Sequence, residues 1–281
     1  MLPVPFLLPA AGLSLAAYEA GDPAGPPLLL LHGNSLAADV FERQWQAPAL
    51  QGFRLVAFDL PGHGQSPPAP GHYGVAAMRT IVLEAVRALR LEHALVVAHS
   101  YGGNLLLELL PDLPNLRGLL TIGAPPVSTP AEMQAAFQLS ETGKLFYVAS
   151  LSATQVDALA RYCLRPDPAP AEVALLAAAI ARADGRARAD LLVSIGAGEM
   201  RDEVGNVGKT LVPLALAVGE FDHAINFAYF DDLAAPSRWG GVLHVVPGSG
   251  HSPFLENPTV FNQLVLDFAA ATSPVEAVRT R

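Results

Sequence analysis

Cysteine is almost absent from this chain of 281 residues, where Cys163 stands alone. An intrachain disulfide is thereby excluded, and the fold is expected not to depend on an oxidising compartment. Charge is scarce too: Asp, Glu, Lys and Arg make up 15%, and the balance leans acidic, to a formal net charge of −9. A nucleic-acid partner calls for the opposite sign and is not expected. No apolar run is long and uninterrupted enough to span a bilayer, although mean hydropathy reaches +0.34. The surplus apolar surface is expected around a substrate mouth or a subunit contact, which leaves room for a homo-oligomer. Met1 to Ala10 lacks the positive start of a signal peptide, and Pro3, Pro5 and Pro9 interrupt its apolar run. A cytoplasmic location is the expectation.

Metal and nucleotide motifs are missing as well. There is no His-Glu-x-x-His, and His72, His93, His223 and His244 have no partners at ligand spacing. Gly208-Lys209-Thr210 resembles the end of a phosphate-binding loop, but the pattern needs glycine five positions earlier, where Glu203 stands. Asn257-Pro258-Thr259 is ruled out as a glycosylation site by its proline. No metal and no cofactor is expected.

Apolar runs and helical periodicities alternate, which predicts a mostly parallel sheet with helices on both faces. Strand candidates lie near residues 13–19, 27–31, 53–58, 94–98, 117–123, 212–218 and 242–246. Gly74 to Leu91 has apolar residues at helical spacing, among them Met78, Ile81, Val82 and Val86. Tyr101 to Leu110 forms a second helix, stopped by Pro111, and Pro258 to Ala270 a closing one, with Asn257 placed to cap it.

The chemistry concentrates in Val96-Val97-Ala98-His99-Ser100-Tyr101-Gly102-Gly103. A serine hydroxyl becomes an effective attacker when a sharp strand-to-helix turn lifts it clear of the backbone, which requires small residues two before and two after it. Ala98 and Gly102 occupy those places, Ala98 where glycine is usual. Downstream, Leu214 to Val218 reads as a buried strand leading into Gly219-Glu220-Phe221-Asp222, and Leu243 to Val246 as one leading into Gly250-His251. The order Ser, Asp, His, with Leu31-His32-Gly33-Asn34 and Asp59-Leu60-Pro61-Gly62-His63-Gly64 ahead of it, resembles the α/β-hydrolase superfamily over nearly the whole chain.

The resemblance implies an α/β-hydrolase fold with an inserted helical cap: a core of residues 1–128 and 211–281, and a cap of residues 129–210. Helices are expected within the insertion at Ala131 to Leu139, Ala153 to Leu164, Ala171 to Ile180 and Arg186 to Ile195. Such a cap roofs the site, and Phe137, Phe146, Tyr147 and Leu151 are its candidate substrate-lining residues.

The same resemblance assigns roles. Ser100 is the nucleophile, His251 the base, and Asp222 the acid that holds the imidazole, preferred over Glu220, Asp231 and Asp232 because it sits in the loop directly after its strand. Oxyanion donors are expected at the backbone of Tyr101 and at Asn34, through backbone or side chain, with Ser35 as the neighbouring alternative. His32 and His63 are expected to order loops, and His99 to point to the far side of the elbow. The implied activity is cofactor-independent hydrolysis of a small carboxylic ester through an acyl-enzyme. Lactone hydrolysis, carbon-carbon bond hydrolysis and a perhydrolase or haloperoxidase-like reaction use the same set. A ligand receptor on this scaffold is the non-enzymatic alternative, separated by whether simple esters are turned over.

Overall fold

Runs such as Leu28 to Leu31, Leu95 to His99 and Leu214 to Val218 are buried along their entire length. Strands covered on both faces read this way, as continuous apolar segments without alternation. A computed structural model of the chain describes residues 3–138 and 140–273. The strands are β1 (Val4–Ala10), β2 (Leu13–Gly21), β3 (Pro27–Leu31), β4 (Arg54–Phe58), β5 (Leu95–His99), β6 (Gly118–Ile122), β7 (Leu214–Gly219) and β8 (Arg238–Val246). They form an eight-stranded sheet in the order β1-β2-β4-β3-β5-β6-β7-β8. The pairs β1–β2 and β2–β4 are antiparallel, and all later pairs parallel.

The helices are α1 (Glu42–Trp45), α2 (Val75–Ala88), α3 (Tyr101–Glu108), α4 (Pro130–Ala136), α5 (Ala153–Tyr162), α6 (Pro170–Arg182), α7 (Gly185–Gly196), α8 (Glu203–Lys209), α9 (Pro253–Glu256) and α10 (Pro258–Ala271). Successive strand residues face opposite sides, so Leu29, Leu31, Val96 and Ala98 join α2 and α3 in one apolar cluster. Leu28, Leu30, Leu95 and Val97 join α9 and α10 in the other.

Three features depart from the sequence reading. Val4–Ala10 is a strand, paired with β2 through a tight turn at Ala11 and Gly12, both at positive φ. No strand was expected there; its prolines are tolerated because at an edge strand one row of N–H groups has no ladder partner. The last strand begins at Arg238, ahead of the apolar run, after a register shift between Leu214 and Leu216. The insertion between β6 and β7 carries α8 in addition to the expected helices, and its first helix ends at Ala136; Leu139 lies outside the described residues.

Candidate active site

Ser100 stands between β5 and α3 with φ 50° and ψ −124°. For a residue with a Cβ this is strained backbone, and it is maintained by the Ser100 N–H donating to the Ile122 carbonyl at 2.7 Å and the Asn104 N–H donating to the Ser100 carbonyl at 3.0 Å. The turn also needs Gly102: a Cβ there would lie 2.4 Å from the His32 carbonyl oxygen. The small residue expected two after the serine is thus required by the close approach of helix α3 to the loop after β3.

Across the cavity, His251 Nδ1 lies 2.7 Å from Asp222 Oδ2, with both side chains buried. Asp222 Oδ1 accepts the Ala224 N–H at 3.0 Å. Glu220 is turned elsewhere, accepting the Gly248 N–H at 2.8 Å. Burial alone would push the His251 imidazole down, but the Asp222 carboxylate, by charge and hydrogen bond, together with the Glu256 charge, outweighs it and leaves the net shift above the ordinary histidine value. Gly123, at the end of β6 and with φ 59°, makes room for the pair: a Cβ would lie 2.5 Å from His251 Cε1. Glu256 in α9 accepts the Gly250 N–H at 2.8 Å and so holds the histidine loop.

His99 was expected to point to the far side of the elbow, and its ring lies against the loop after β8. Its ring packs 4.7 Å from the His251 ring, and its Nε2–H donates to the His251 carbonyl at 2.9 Å. His32 is structural, its Nε2 accepting the Leu60 N–H at 3.0 Å and its Nδ1–H donating to the Gly33 carbonyl at 2.8 Å. Burial pushes its pKa down to about 4, so the ring is neutral. The His63 ring packs against it in a tilted arrangement, centroids 5.3 Å apart, and is pushed by burial down to about 3.

The loop after β3 carries the second donor candidate. The Asn34 side chain is committed: Nδ2 donates to the Phe146 carbonyl at 2.9 Å and Oδ1 accepts the Ser35 hydroxyl at 3.1 Å. The backbone N–H groups of Asn34 and Tyr101 donate to no other group among the described residues. Tyr101 opens α3, where helix N–H groups and the positive end of the helix dipole favour developing negative charge. Ser35, at φ 62°, receives the guanidinium of buried Arg188, which also donates to the Val148 and Ala149 carbonyls.

Ser100, His251, Asn34 and Tyr101 line one cavity together with Phe137, Phe146 and Tyr147 of the insertion. Leu151 is not part of its lining; lying just before α5, it packs against the apolar cluster that holds α9 and α10. Met133, Tyr162 and Glu203 also line the cavity and were not anticipated. Tyr162 sits on the same helical stripe as core residues of α5, and no local pattern separates a cavity wall from a core contact.

Residues 26–258 match the alpha/beta hydrolase fold family, and the chain belongs to it. It is 29% identical over 260 residues to pimeloyl-[acyl-carrier protein] methyl ester esterase of Yersinia enterocolitica, covering 86% of this chain and 92% of that one. A shorter stretch of 85 residues is 34% identical to a protein of Mycobacterium phage D29 that carries the name of a non-heme haloperoxidase, covering 30% of this chain and 31% of that one. Among solved structures, N-acyl homoserine lactonase AidH complexed with N-butanoyl homoserine is similar at a TM-score of 0.89 and 28% identity, covering 97% of this chain and 98% of that one. Among the described residues no helix is long and apolar enough to cross a membrane.

Proposed function

We propose that this protein is a serine hydrolase that cleaves a small carboxylic ester through an acyl-enzyme. The observation that carries this reading is the buried 2.7 Å contact of His251 Nδ1 with Asp222 Oδ2 in the cavity that Ser100 lines. Ser100 Oγ forms the bond to the carbonyl carbon while His251 takes its proton; the carbonyl oxygen becomes an oxyanion facing the Tyr101 and Asn34 N–H groups. Collapse breaks the ester C–O bond, and His251 returns the proton to the departing alkoxide. Water, deprotonated by the same histidine, then frees the acid and restores Ser100. Asp222 fixes the tautomer and stabilises the imidazolium at each transfer. The segment 129–210 acts as a cap, its Phe137, Phe146 and Tyr147 shaping the substrate end of the cavity.

A fluorophosphonate probe tests the nucleophile. Labelling is expected at Ser100 by peptide mass spectrometry, and Ser100→Ala is expected to lose it along with about 10⁶-fold in kcat. Labelling of another residue, or turnover surviving in the variant, would reject the reading.

The lactonase reading is favoured by one specific observation, the match to N-acyl homoserine lactonase AidH over nearly the whole of both chains. A lactone is an ester whose alcohol stays tethered to the acyl group, so the same steps apply without release of a leaving group at acylation. Comparing kcat/KM for acyl homoserine lactones and for p-nitrophenyl esters of equal acyl length separates the two preferences.

A further inference from the structure

Beyond Ser100 the cavity follows α3, whose Tyr101, Asn104, Leu105 and Glu108 form one wall. Facing them are apolar side chains, Val127, Leu191, Ile195 and Met200 among them, and one fully buried carboxyl, that of Glu203 at the start of α8. Glu203 Oε2 accepts the Asn104 Nδ2–H at 2.9 Å and the Val127 N–H at 3.0 Å. Its Oε1 has no partner among the described residues. The nearby cations are engaged elsewhere, Arg79 with Glu108 and Arg201 with Asp112. Burial, helped by the Glu108 charge and only partly opposed by the two donors, raises the Glu203 pKa well above the carboxylate range. A carboxyl buried with no cation beside it favours its protonated form, and with both donors on Oε2 the place for that proton is Oε1. The buried Tyr101 hydroxyl, likewise without a partner, belongs to the same cavity.

We propose that Glu203 is a specificity determinant: its Oε1–H donates to an acceptor oxygen, a ketone or amide carbonyl, carried in the acyl part of the substrate. The proposal rests on Ser100 as nucleophile and deepens that reading by naming the substrate class. Asn104, which positions Glu203, follows Ser100 by four residues of α3, about 6 Å along the helix axis. The acceptor therefore belongs three to five bonds from the scissile carbonyl. A plain alkyl chain in this arm leaves a buried donor unpaired, and an acceptor-bearing chain satisfies it, a difference of about tenfold or more in kcat/KM. A carboxyl that merely braced α8 against Asn104 and Val127 would give no such discrimination.

The test compares p-nitrophenyl hexanoate with its 4-oxo and 5-oxo analogues, each kcat/KM divided by the ester's spontaneous hydrolysis rate. Wild type is expected to favour at least one oxo ester by about tenfold. Glu203→Gln keeps an acceptor for Asn104 and Val127 and an N–H donor for the substrate, and is expected to retain the preference. Glu203→Leu is expected to lose it. Because both esters are compared within one preparation, the ratio is independent of how much of a variant folds. Equal normalised rates in wild type, a preference that survives Glu203→Leu, or one abolished equally by Glu203→Gln overturns the proposal. Failure of the underlying reading looks different: fluorophosphonate would not label Ser100, and none of the esters would be hydrolysed above background.

Discussion

In the proposed mechanism His251 works as a base only when neutral, so its environment sets the acid limb of the pH profile. With the Asp222 carboxylate raising its pKa against burial, kcat/KM is expected to fall as pH drops through an apparent pKa above the ordinary histidine value. Asp222→Asn removes the charge that favours the imidazolium and leaves the burial that disfavours it. The residual activity is expected to be lower by about 10⁴-fold, with its acid limb displaced to lower pH. A pH series of kcat/KM on both enzymes checks sign and size together; an unmoved limb would mean that another group controls it. The candidates Ser100, Asp222 and His251 could be singled out in the sequence because each lies within a few residues beyond the end of a strand, β5, β7 and β8. Gly123 and Glu203 were not. A glycine at a strand end gives no sign that an imidazole will occupy its missing side chain, and Glu203 drew notice in the sequence only by standing where a phosphate-binding loop needs glycine.

At the scale of elements, the 3₁₀ segment Gly143–Tyr147 contributes Gly143, Phe146 and Tyr147 to the wall of the cavity. Its side chains and its backbone do different things. Phe146→Ala and Tyr147→Ala are expected to shift acyl-chain preference, with raised KM for ordinary esters or improved turnover of bulky ones, while a very small ester reacts nearly as before. Uniform loss over an acyl series would instead assign these aromatics to folding. The Asn34 bond to the Phe146 carbonyl survives both changes, since it uses main chain. Arg188→Met, by contrast, releases Val148, Ala149 and Ser35 together. It is expected to lower kcat for every ester, the smallest included, measured against wild type at saturating substrate. Helices in this region were readable as segments; their caps come from the structure, as with Ser152 before α5, whose side chain accepts the Gln155 N–H. Which face of each helix meets the cavity was not, because apolar residues lining a pocket and filling a core obey the same spacing.

Over the whole molecule, the inserted helices are built into both cores. Leu159, Leu176 and Ile180 of α5 and α6 join the cluster that holds α10. Leu191 and Val207 of α7 and α8 join the one that holds α2 and α3. Thermal or denaturant unfolding is therefore expected as one cooperative transition, with no earlier loss of the insertion. Leu176→Ala, at a fully buried position, is expected to destabilise that single transition by about 2–5 kcal/mol. A biphasic melt whose first phase alone responds to this variant would show instead that the insertion unfolds separately. The sheet was largely legible, since parallel strands must be apolar throughout. Val4–Ala10 was missed because its prolines are acceptable only at an edge, and the identity of the edge strand is a property of the completed sheet.

The contact between Asn34 and the Phe146 carbonyl has a consequence for how such a protein can change over generations. On the proposed mechanism, one loop both stiffens the donor for the oxyanion and anchors the segment that roofs the substrate. Changes in roof side chains leave the two uncoupled, so new substrates are reachable one aromatic at a time. Insertions or deletions that move the roof backbone would disturb the oxyanion loop as well and slow turnover of every substrate. Diversification by side-chain replacement is open here, and diversification by loop length is closed unless Asn34 first acquires another partner.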